Sequence, residues 1–126
     1  MNISEITKNV LSIPRQFNSL SSVSVHTLLR ESGYFQHYKN ISEDVIHNAL
    51  ADHPELIQEW MQFSEDKRTC AGWYVTQDTK GQYGVGRISE NAVDDTWKIE
   101  YARAIDACTA FIMREIEDIR QNSDEP

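Results

Sequence analysis

The side chains of this sequence that could do chemistry are four histidines, two cysteines and several neighbouring carboxylates. His26, His37, His47 and His53 include no pair four positions apart, the spacing that lets one helix face hold zinc. A metal site would have to be assembled from dispersed ligands. Glu65-Asp66 and Asp94-Asp95 offer paired acids, but hydrolysis needs two carboxylates in different environments facing one cleft. Adjacent acids in hydrophilic stretches ordinarily stay solvated. Ser64 has neither a strained elbow nor a nearby base to activate it. Cys70 and Cys108 show no CxxC spacing and read as small, reduced side chains. Gly84-x-Gly86 is followed by Arg-Ile-Ser, with no third glycine and no helix start, so it is no dinucleotide loop. No catalytic set emerges, and nothing calls for a cofactor or a metal. The expectation is a protein that is not an enzyme.

Charge is more informative. The 126 residues hold 12 Lys and Arg against 20 Asp and Glu, a formal charge of −8. Residues 1–42 carry four bases and two acids; residues 43–126 carry eight bases and eighteen acids. Such a field repels nucleic acid and anionic lipid and attracts a basic protein. Acidity of this kind also serves solubility alone. No apolar run approaches the roughly 20 residues needed to span a bilayer. The segment MNISEITKNVLSI has an acid at position 5 and no long apolar stretch, unlike a secretory signal. A cytoplasmic location is expected.

The elements that must position these residues read as one α+β domain over 1–126: several N-terminal helices, a small antiparallel sheet built on a β-hairpin, and a long C-terminal helix. Residues 1–42 form a helical part, with a helix over 3–12 that Pro14 ends or restarts, a loop near 18–22 and a second helix over 23–31 stopped by Gly33. Ser42-Glu43-Asp44 caps a helix whose stripe is Val45, Ile46, Ala49 and Leu50. An Asp52-His53-Pro54 corner leads to a helix over 54–67. The period then falls to two: Gly72–Gln77 and Tyr83–Ile88 read as strands of a hairpin turning at Asp78–Gly81. Gly84 and Gly86 share a strand face and leave a strip that an aromatic ring could cover. Residues 89–95 read as an acidic loop. Alternation of Trp97, Ile99 and Tyr101 permits a third strand. The closing helix over 103–121 stripes Ile105, Cys108, Ile112, Ile116 and Ile119, and 122–126 form a tail.

The dense polar run Ser64–Thr69 is either a solvated helix end, with Lys67 and Arg68 near the negative pole of the dipole, or a recognition edge rimming exposed aromatics. His53-Pro-Glu-Leu-Ile-Gln-Glu-Trp60, Ser64-Glu-Asp-Lys-Arg-Thr69 and Gly72-Trp-Tyr74, with Ala107–Ile112 and Arg114-Glu-Ile116, resemble a group of small bacterial domains of unassigned biochemistry. The resemblance covers about residues 43–121. In size, acidity and lack of a catalytic set the chain also resembles the immunity proteins of bacterial contact-dependent growth inhibition. That resemblance implies a stoichiometric inhibitor of a cognate basic toxin domain, a nuclease in many such systems. It transfers no individual residue. The contacts expected from the residues themselves are Asp66, Asp78, Glu90, Asp94 and Asp95, with Tyr74 and Tyr83 as aromatic anchors on or beside the hairpin. The alternative is a small non-enzymatic interaction or regulatory module, whose hairpin edge and apolar helices could pair with a copy of themselves as a homodimer. An enzyme or ligand-binding domain would instead use the Gly84/Gly86 strip under Trp73.

Overall fold

Polar side chains start the first helices. Asn2 Oδ1 accepts the Glu5 N–H at 2.8 Å and opens α1, Ile3–Leu11. In the computed structural model, which describes residues 2–19, 24–66, 72–78, 80–88 and 93–122, the chain turns at Ser12 and restarts as α2, Ile13–Ser19. Pro14 sits in the first turn of α2, where its missing N–H costs nothing. Ser24 Oγ caps α3, Val25–Ser32, by accepting from the Thr27 N–H. Gly33, at φ +96°, ends α3 in the left-handed region and opens the short α4, Tyr34–His37. A 3-10 turn follows over Tyr38–Asn40. Ser42 caps α5, Glu43–Asp52, and the His53-Pro54 corner leads to α6, Glu55–Asp66.

Strands β1, Gly72–Gln77, and β2, Tyr83–Ile88, form the hairpin, and β3, Val93–Tyr101, adds antiparallel to β2. The order is β1-β2-β3. The hairpin turn is organised by Asp78, whose Oδ1 accepts the Lys80 and Gln82 N–H groups at 2.8 and 2.9 Å. Gly81 takes φ +84°, as the turn requires. On β2 and β3, Val85 faces Ile99 and Arg87 faces Asp94, so β3 bulges over 95–98. The strand begins earlier than alternation alone indicates. Val93 pairs with Ile88, so Asp94 and Asp95 lie on strand rather than in an acidic loop. β3 is an edge strand, where charged residues are tolerated.

Helix α7, Ala104–Gln121, lies across β1 and β2 and against α5 and α6. Val75 and Val85, opposite each other in the register, bury themselves beneath it. One apolar cluster runs from Ile6 of α1 to Ile116 of α7. Trp60 is its centre. Its ring meets Phe63 and Phe111 edge-on at 5.5 and 6.2 Å, and its indole N–H donates to the Leu11 carbonyl at 3.0 Å. A single side chain thus ties α1, α6 and α7, with its one polar atom satisfied. The outer edge of β1 is closed by α6. Buried Ser64 accepts the Val75 N–H at 2.8 Å and donates to the Val75 carbonyl at 3.3 Å.

Candidate partner-binding surfaces

The hairpin places its expected contacts differently from one another. Tyr74 is buried, 7% exposed, and pairs directly with Gly86 across the two strands. A Cβ on Gly86 would fall 2.6 Å from Tyr74 Oη and 2.8 Å from Cζ, so the hydroxyl end of the phenol occupies the space a side chain there would fill. The ring that covers the glycine strip is therefore Tyr74, not Trp73, because Trp73 projects to the opposite sheet face. Tyr74 is spent on this cross-strand contact and is no exposed anchor. Tyr83 is half-buried, packs on the core and pairs with Tyr101. Asp78 is committed through Oδ1 to its own turn. Glu90 lies outside the described residues. Asp66, Asp94 and Asp95 are placed as backbone on α6 and β3, and their side chains lie outside the description.

On the other face of β1, half-buried Trp73 gathers two cations. The Arg114 guanidinium carbon of α7 lies 4.9 Å from the ring centroid and that of Arg87, its cross-strand partner, 6.0 Å. Arg87 also reaches Asp118 Oδ1 at 3.7 Å. Cross-strand pairing of Trp73 with Arg87 could have been read from the hairpin register. The arrival of Arg114, 41 positions further along the chain, could not.

Among the described residues, a groove of about 640 Å³ opens between α1, α5 and the start of α6. Leu11 and the half-buried Ile3, Val45, Ala49 and Leu56 line it with apolar surface. Exposed Lys8, Asp52, His53 and Glu55 stand along it. His53 Nδ1 is 3.6 Å from Glu55. Arg15 reaches across to Glu59 with two parallel N–H donors, which tie α2 to α6 and raise the guanidinium pKa.

A hydrogen-bonded charge cluster joins the N-terminal part to the closing helix. Tyr34 Oη donates to Glu117 Oε2 at 2.6 Å, and Arg120 donates to both Glu117 oxygens at 2.7 and 3.2 Å. The Arg120 guanidinium carbon lies 3.6 Å from the Tyr38 ring centroid. Burial alone would raise the Glu117 pKa, but hydrogen bonds from Arg120 and Tyr34 outweigh it and hold the carboxyl below its ordinary value. Burial, then the bond to Glu117, pushes the Tyr34 phenol far upward. Every member serves the packing of α4 on α7, which gives the cluster a structural reading.

Three further reactive groups among the described residues are engaged in structure, whereas Cys70 lies outside them. Cys108 is fully buried, and burial pushes its thiol up to about 12. Ser64 is occupied by Val75. His47 Nε2 lies 3.1 Å from Asp106 Oδ1, bridging α5 and α7. Among the described residues no three His, Cys, Asp or Glu side chains gather where they could hold a metal ion. No helix among them is long and apolar enough to cross a membrane. No known protein family, curated protein or solved structure matches the chain.

Proposed function

We propose that this chain is an immunity-type inhibitor, binding a cognate basic toxin domain one to one and neutralising it. The observation that carries the reading is an uncompensated negative field. Glu43, Asp44, Asp52 and Glu100 are exposed and have no cation within ion-pairing reach among the described residues. They belong to the part of the sequence with eighteen acids and eight bases. A nuclease domain must be basic to hold phosphates. Opposite fields steer the two proteins together and raise the association rate, most strongly at low salt. The partner is a nuclease toxin domain; the inhibitor acts in the cytoplasm, where such a toxin would do its damage.

Supporting features are the α+β architecture and, among the described residues, the side chains of Cys108, Ser64 and His47, which are tied into packing. The test is co-expression with the product of the adjacent upstream gene. A one-to-one complex that protects cells, and whose association slows as salt rises from 50 to 500 mM, roughly the range over which screening becomes complete, is expected. Absence of both complex and protection overturns the reading.

A further inference from the structure

We infer that Trp73, Arg87 and Arg114 form an anchor for a carboxylate side chain on a protein partner. The inference rests on the reading above in that the chain docks on a basic protein; it does not require that protein to be a toxin. Both guanidinium groups collect on one ring, Arg114 at 4.9 Å and Arg87 at 6.0 Å from its centroid. Arg114 is exposed and meets no carboxylate among the described residues, whereas Arg87 is held at 3.7 Å by Asp118. The patch therefore presents one engaged and one available guanidinium beside a half-buried indole.

Three physical arguments favour a carboxylate. A guanidinium offers a planar fork of donors that fits a carboxylate with two parallel hydrogen bonds. Stacking on Trp73 limits the rotamers Arg114 can adopt, so less freedom is lost on binding. Tryptophan and arginine are the side chains that most often dominate the energetics of protein interfaces. The guanidinium fork also fits a phosphate, and an aromatic beside it stacks bases. The surrounding charge decides against nucleic acid: a chain of −8 repels a polyanion, while a single carboxylate on a basic protein is drawn in with the rest of its surface. Acids elsewhere on the chain then steer the partner, and this cationic patch fixes its orientation.

The protein, labelled with nitrogen-15, is titrated with acetyl-Lys-Lys-Glu-Lys-Lys-amide, with the same peptide carrying Gln in place of Glu, and with hexathymidylate. Arginine Nε–Hε and tryptophan indole signals report the site. The buried Trp60 indole, already bonded to Leu11, is the internal reference. The Glu peptide should shift the Trp73 and Arg114 signals saturably and leave Trp60 still, and the Gln peptide should leave all three still. Arg114→Gln should weaken the interaction at least tenfold, and Arg114→Lys, which keeps charge but loses the fork, should fall between. An unchanged titration in Arg114→Gln, or silent Trp73 and Arg114 signals, overturns the anchor. Tighter binding of hexathymidylate at the same signals overturns it in favour of nucleic acid. Binding of the Glu peptide combined with failure of the co-expression experiment removes the toxin reading and leaves the anchor; the reverse outcome removes only the anchor.

Discussion

The Tyr34 phenol of α4 donates a 2.6 Å hydrogen bond to Glu117 of α7, across 83 positions of sequence. Tyr34 is fully buried, so the bond is shielded on the phenol side, and its acceptor is charged. Hydrogen bonds to charged groups contribute about 1.5–3 kcal/mol. Tyr34→Phe should therefore lower stability by about 1–3 kcal/mol, read by urea unfolding at pH 7. A loss below the error of the fit would mean that the bond contributes nothing net.

The same cluster sets an acid limb. The Glu117 pKa is lowered in the folded state from an ordinary value of 4.5. A carboxyl depressed in this way stabilises the fold fully above its unfolded pKa, and that contribution is lost as pH falls through the lower folded value. Melting temperature should decline between about pH 5 and pH 3 in the parent protein. Glu117→Gln should be less stable at pH 7 and show a shallower decline over that window. An equally steep decline in Glu117→Gln would assign the acid limb to other carboxyls.

Tyr74 over Gly86 makes a close-contact prediction. The nearest atoms a new Cβ would meet are 2.6 and 2.8 Å away on the phenol, so the ring must move. Gly86→Ala should cost about 1–3 kcal/mol, the usual range for overpacking. Tyr74→Ala in the same chain should remove most of the penalty specific to Gly86→Ala. A double-mutant cycle measures this coupling, and additive losses would mean that the ring does not clash.

Ser64 closes the β1 edge by bonding both polar groups of Val75. Ser64→Ala leaves a buried N–H without its acceptor and should cost about 1–3 kcal/mol. Backbone hydrogen exchange at Val75 should accelerate more than at Val85. Equal acceleration at both positions would indicate general loosening rather than an opened edge.

Cys108 should resist modification. Its thiol is fully buried and pushed up to about 12, so little thiolate forms at pH 8. Iodoacetamide applied to the folded protein, with labelling resolved by peptide mass spectrometry, should leave Cys108 unmodified until denaturant is added. Rapid native labelling would contradict the packing of α7.

Much of the architecture was legible before any coordinates. Ser42 followed by two acids, the His53-Pro54 corner, Gly33 after an apolar stripe and the two β-rich runs around Asp78–Gly81 are local signals. Each depends on groups a few positions apart, and the helices and hairpin they indicate are present. The surface residues were less legible. Alternation shows that Tyr74 and Trp73 face opposite sides, but not which side is covered. Tyr74 is buried because β2 offers Gly86 opposite it, whereas Trp73 remains half exposed at the margin beneath α7.

The amino-acid order alone determined the α+β class, the hairpin, the stripe of the closing helix and the imbalance of charge, because periodicity, turn chemistry and net charge are properties of neighbours and sums. Tertiary structure decided which of those residues meet: Tyr34 with Glu117, Ser64 with Val75, Arg114 with Trp73. Those pairings depend on how α6 and α7 cross the sheet and how α4 packs on α7. That geometry is set by the whole core settling at once, and no short stretch of sequence carries it.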